Sequence, residues 1–147
     1  MGLLIAIPAL VAVAALLWAA YANWYVIRRD RGTERMRELQ DFIREGAIAF
    51  MLEEARVMSI TMLVVGAILW ALFYWEVAVS FWIGSILSML AGFIGMNAAT
   101  QANARTTQAA RRSFKEALNV ALSGGSVMGM AVAGLALGGL ALVIWLF

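Results

Sequence analysis

Residues 117–147 read ALNVALSGGSVMGMAVAGLALGGLALVIWLF, without one charged side chain. A helix crosses the hydrocarbon core of a bilayer with about 20 apolar residues, and this run exceeds that. It shows no alternation of apolar and polar residues, so a barrel strand is excluded and a helix is the one way to satisfy its backbone in lipid. Upstream, residues 77–104, 57–75 and 2–27 are also free of charge. The spacing predicts an all-α integral membrane protein, one membrane domain over 1–147, with four transmembrane helices at about 2–27, 57–75, 77–104 and 117–147. Composition agrees: 64% of the residues are hydrophobic, against roughly 45–50% apolar in soluble domains.

The same counts exclude several chemistries. The chain has no cysteine and no histidine, which removes thiol catalysis, Cys-ligated zinc and the Ser-His-Asp triad. Its net charge is +2, and the basic residues fall in two blocks, Arg28 to Arg56 and Arg105 to Lys115. That pattern orients a membrane protein; it does not form a nucleic-acid patch. No Asp, Glu, Lys or Arg lies inside a predicted span, and intramembrane ionisable groups are what mark ion paths. Glu76 sits at a membrane edge. A phosphate-handling site would need several carboxylates for Mg²⁺ together with Lys or Arg clamps.

The first apolar run precedes its basic cluster, Arg28-Arg29-Asp30-Arg31, whereas a signal peptide has its basic segment in front. It reads as a retained helix, with Pro8 near its start and Trp18, Tyr21, Trp24 and Tyr25 as an interfacial aromatic belt. Between the first two spans, residues 33–56 read as a cytoplasmic amphipathic helix. Thr33 is its candidate N-cap. Met36, Leu39, Ile43, Ala47 and Phe50 lie on one side, and Arg35, Glu38, Asp41 and Glu45 on the other. It rests on the protein or membrane surface, or runs straight into the second span. The second and third spans meet in a tight turn at Tyr74-Trp75-Glu76-Val77, without Lys or Arg. The positive-inside rule then places both basic connections in the cytoplasm, with Met1, Glu76 and Phe147 on the outer side of the cell membrane.

Small residues recur at four-residue steps: Gly84, Ser88 and Gly92, beside Ala91, Gly95 and Ala99, and on the fourth span Ala121, Gly125, Gly129 and Ala133. Such rows let membrane helices approach closely, so they are the candidate helix-packing positions. Asn103, Arg105 and Thr106 form the most distinctive polar cluster. It reads as a helix-end network with Arg105 at the lipid headgroups, or as an orienting contact to further helices.

Several motifs in order resemble one family. Glu45-Gly46-Ala47-Ile48-Ala49-Phe50, Gly95-Met96, Ala102-Asn103-Ala104-Arg105-Thr106-Thr107 and Val127-Met128-Gly129 are similar to the N-terminal helices of membrane-bound, ion-pumping pyrophosphatases, over roughly Met36 to Gly139. Glu53-Glu54-Ala55 departs from the Arg-Glu-Tyr usual there. The resemblance implies a pump that hydrolyses pyrophosphate to move H⁺ or Na⁺, with Mg²⁺ and, as a second candidate, K⁺ as cofactors of the full-length protein, and a dimer or other homo-oligomer. It implies outer supporting helices for this segment, with no catalytic, metal or cofactor residue of its own, and as partners the lipid bilayer and the remaining helices. Pyrophosphate would bind only the complete enzyme. A small non-enzymatic four-helix scaffold or regulatory subunit is the alternative, and an oligomeric four-helix transporter a third. The end of the chain directly after the fourth span favours a segment slightly over a finished subunit.

Overall fold

The structure, a computed structural model, describes residues 2–147. Met1, and with it the expected side of the N-terminus, falls outside the described residues, as do the side chains of Leu3 and Leu4. The chain forms α1 (Gly2–Ile27), α2 (Glu34–Leu72), α3 (Trp75–Ala110) and α4 (Phe114–Leu146), with no strand among the described residues. All four helices are long and apolar enough to cross a membrane. At 1.5 Å per residue the 26 residues of α1 extend about 39 Å. The 39 of α2 and the 36 of α3 extend about 58 and 54 Å, against roughly 30 Å of hydrocarbon. Both therefore project well past the apolar layer.

The expected amphipathic helix and second span form one continuous helix. Thr33 caps it as anticipated, its Oγ1 accepting from the Met36 N–H at 3.4 Å. Nothing between 34 and 72 breaks it, because no proline occurs there and the Glu53–Arg56 pair, at 2.8 Å, braces the expected junction at an i,i+3 spacing. Its N-terminal half packs through Gln40 and Met51, while Leu39, Ile43 and Phe50, placed by the sequence on the apolar side, stay exposed. The turn before α3 falls at Phe73–Tyr74, slightly earlier than expected, and α3 runs past residue 104 to Ala110. Ser113 starts α4 by accepting from the Glu116 N–H at 3.1 Å, a capping pattern of the Ser-x-x-Glu type. Pro8 lies inside α1, beyond its first turn, so it forfeits one backbone bond, a loss membrane helices tolerate.

The helices alternate in direction. α4 packs against both α1 and α3, and among the described residues α2 touches only α3. The buried residues show why. On α1 they are Ala12, Ala15, Ala19, Ala22 and Val26. On α3 they include Ala91, Gly95, Ala98, Ala102, Arg105 and Ala109. On α4 they include Ala117, Val120, Gly124, Val127, Ala131, Gly134 and Ala141. The α1 and α3 series alternate steps of three and four, and the α4 series does so once the half-buried Gly138 is counted between Gly134 and Ala141. That is a period of 3.5, the seam of a left-handed coiled coil, filled here almost entirely by small residues. Ala19, Ala22, Ala98, Val127 and Ala131 form the cluster where the three helices meet.

The fit is close. A Cβ added at Gly124 would stand 2.7 Å from the Ala102 Cβ, and one at Gly134 would stand 2.8 Å from Leu16 Cγ and 3.1 Å from the Ala12 carbonyl. α2 is held differently, by Trp82 of α3 lying across Gly66 and donating from Nε1 to the Met62 carbonyl at 3.0 Å.

The rows expected at four-residue steps are placed otherwise. Gly95 is buried against Met128, and Gly92 reaches only Met51 Cε, at 3.8 Å. Gly84, Ser88, Gly125, Gly129 and Ala133 are exposed. The reason is geometric: four residues turn a helix about 400°, so a strict four-residue row drifts off the contact that a 3.5 period keeps. Gly134→Leu should therefore lower stability by about 1–3 kcal/mol through overpacking, and Gly129→Leu should leave the isolated chain nearly unchanged. Thermal unfolding in detergent checks this, and equal losses for both variants would contradict the observed seam.

Candidate functional site

The polar groups gather at one end of the bundle, where α1 leaves, α2 begins, and α3 turns into α4. The α1–α2 connection is built by its own sequence. Asp30 Oδ1 accepts from the Gly32 N–H at 2.9 Å, an Asx-type turn. Gly32 takes φ +79°, a left-handed conformation that suits glycine. A Cβ there would also meet Met36 Sδ at 2.5 Å and Gln108 Cβ at 3.2 Å. Arg37 Nε then donates to the Gly32 carbonyl at 3.1 Å. Arg31 reaches onto α2, donating to Gln40 Oε1 at 3.3 Å and to Asp41 Oδ1 at 2.6 Å.

Arg105 enters this junction from α3. It is 6% exposed, and no carboxylate among the described residues pairs with it. Its guanidinium donates instead to three carbonyls: Gln101 at 2.6 Å, Ile27 at 3.1 Å and Arg29 at 3.2 Å. Two of these close the C-terminal end of α1, where carbonyls lack helical partners and the helix dipole is negative. Burial, and secondarily the nearby Arg31, lower the Arg105 pKa, but an arginine begins so high that it stays charged. Among the candidate cluster, Arg105 is thus in the junction, Thr106 is half-buried, and Asn103 is exposed. The three do not converge on one point.

Around this contact lies a ring of alternating charge. Asp30 Oδ2 accepts from Gln108 Nε2 at 3.3 Å and faces Arg112 at 3.7 Å. Glu116 lies 3.8 Å from Arg112 and 3.9 Å from Arg29. The bond from Gly32 lowers the Asp30 carboxyl pKa; burial opposes it, and Gln108, Arg112 and Arg37 add smaller lowering effects. Arg28 stacks over Trp24 at 4.0 Å and Arg29 over Tyr25 at 4.2 Å, so the aromatic belt and the basic cluster form one cation–π layer. Asp30, Asp41 and Glu116 all face arginines, and no group of three acidic side chains converges among the described residues. The arrangement is built to join helix ends. Gln40 and Gln108 were absent from the sequence reading, although Asp30-Arg31-Gly32-Thr33, a turn followed by a cap, signals the connection they brace.

Comparison with known proteins follows the same segment. Residues 13–147 match the family described as inorganic H+ pyrophosphatase. The chain is 42% identical over 121 residues to a putative K(+)-stimulated pyrophosphate-energized sodium pump of Clostridium tetani, covering 82% of this chain and 18% of the relative. It is 41% identical over 124 residues to the K(+)-stimulated pyrophosphate-energized sodium pump of Thermotoga maritima, covering 83% and 17%. A K(+)-insensitive pyrophosphate-energized proton pump of Moorella thermoacetica is 40% identical over 118 residues, covering 80% and 17%. The chain therefore spans less than a fifth of the length of these relatives.

Replacing Arg105 strands the carbonyls it bonds and empties a buried position. Arg105→Ala should lower stability by about 2–3 kcal/mol, the scale of hydrogen bonds to a charged group. Arg105→Lys should not restore it, because an ammonium cannot reproduce the planar fork. Unfolding in detergent measures both, and wild-type stability of Arg105→Ala would show that the junction does not depend on this contact.

Proposed function

The chain belongs to the inorganic H+ pyrophosphatase family, a family of multi-pass membrane proteins, and on that premise we propose that it serves as the N-terminal supporting segment of a pyrophosphate-energised cation pump. The observation that carries this is the family match over residues 13–147, together with relatives of which the matched part covers less than a fifth. The relatives pump sodium or protons by their names, and either ion is compatible with this segment. Its task is mechanical: the small-residue seam and the Arg105 contact hold three helices in fixed register.

Mg²⁺, and K⁺ where a pump requires it, would act on pyrophosphate in the assembled protein. The acids of this chain do not fit such a site. Asp30, Asp41 and Glu116 already face arginines, and a magnesium–phosphate centre needs unpaired carboxylates held together. The residues that hold the cations would come from the remaining helices. The basic junction of this segment faces the cytoplasm, by the distribution of arginine and lysine between its connections, and the Tyr74 turn faces outward.

Two outcomes follow. The purified chain with Mg²⁺ and pyrophosphate should release no phosphate above background, and co-expression with the rest of the Thermotoga maritima relative should produce Mg²⁺-dependent release. Phosphate release by the chain alone, lost on Asp41→Asn, would overturn the supporting role. For orientation, an impermeant maleimide applied to intact cells should label Tyr74→Cys and spare Lys115→Cys, both on a background with no native cysteine. Labelling of Lys115→Cys instead would invert the topology.

A further inference from the structure

Because α2 touches only α3 among the described residues, a groove stays open between α2 and α4. It has a volume of about 720 Å³. Its floor is α3 from Ser80 to Gly92, about 18 Å of helix, or three turns. Gly84, Ser88 and Gly92 supply the small positions, and a Cβ added at Gly84 would touch nothing. Met58 of α2 and Met128 of α4 stand on its sides, unbranched side chains that adapt to a packed neighbour.

Two polar features lie in this groove without partners. Ser80 and Ser85 on the same helix bond back to the Glu76 and Phe81 carbonyls at 2.7 and 2.8 Å, while Ser88 makes no such bond among the described residues. Glu54 lines the groove at its basic end. Its neighbour Glu53 pairs with Arg56, but Glu54 has no ion pair among the described residues.

A lipid tail would answer neither the hydroxyl nor the carboxylate. A second copy related by a two-fold axis along the membrane normal would bring Glu54 to the level of Glu54, like charge against like. The relatives extend far beyond the matched segment. We propose that the groove seats a transmembrane helix from that remaining part of the pump. The helix lays small side chains on Gly84, Ser88 and Gly92, and sets a Lys or Arg level with Glu54 at the edge of the hydrocarbon. This rests on reading the chain as a pump segment.

The test keeps the two claims apart and does not use activity. The tagged chain is co-expressed with the rest of the Thermotoga maritima relative, and carries a benzophenone side chain at Met58 or, as control, at Leu63, which is 67% exposed and outside the groove. The expected result is co-purification, with a light-dependent band at the summed mass from Met58 and none from Leu63. Ser88→Leu and Glu54→Arg should each abolish the Met58 band. Co-purification without that band, or a band from Met58 to a second copy of the chain, overturns the groove assignment and leaves the segment reading standing. Absence of co-purification overturns the segment reading, and the groove assignment with it.

Discussion

Everything in this bundle depends on how closely three helix axes approach. In a membrane, helices gain nothing by leaving water, since lipid tails are as apolar as leucine. Association rests on dispersion contacts and hydrogen bonds. Those contacts fall away within fractions of an ångström, so backbones must meet nearly surface to surface. The alanines of α1 and the alanine, glycine and valine positions of α4 allow that along their whole shared length. α2 lacks such a series and stays peripheral, held by Trp82 over Gly66, by the buried Met51, and by Arg31 on Gln40 and Asp41.

The polar junction follows from the same seam. The buried series on α3 continues from Ala98 and Ala102 to Arg105 and Ala109. Arg105 is therefore a seam position that has passed beyond the apolar layer, and its long side chain is delivered to the end of α1 by the register of the packing. There the carbonyls of Ile27 and Arg29 satisfy it without a counter-ion. The surrounding pairs are mostly exposed and individually weak. Their effect is to fix the two connections against each other, with Asp30 and Glu116 each shared between partners.

The spans were legible because charge is absent over long runs, and the bilayer permits little else. The cap at Thr33 was legible as a hydroxyl before an acidic first turn, and the structure adds the same pattern at Ser113. The packing register was harder to read. Glycine at 84, 92, 125 and 129 suggests rows of four, whereas the contact runs through alanine and valine with a 3.5 period in which glycine falls at Gly95, Gly124, Gly134 and Gly138. Both patterns coexist on these helices, and composition alone does not rank them. The continuity of α2 was open for a related reason, since its charged half and its apolar half differ in chemistry and share a backbone. Arg105 stood out as polar, but its burial required knowing that it extends the seam.

The register of α3 against α4 is the central claim, and a disulfide tests it directly. The chain has no native cysteine, and a Cβ at Gly124 would stand 2.7 Å from the Ala102 Cβ, closer than the roughly 3.5–4.5 Å of a disulfide, so the two helices must part by about 1 Å to form one. Ala102→Cys with Gly124→Cys should cross-link in detergent with that small parting of the helices, and Ala102→Cys with Gly125→Cys should not. Cross-linking through Gly125 in place of Gly124 would mean that the helices meet on the four-residue row and that the seam described here is wrong.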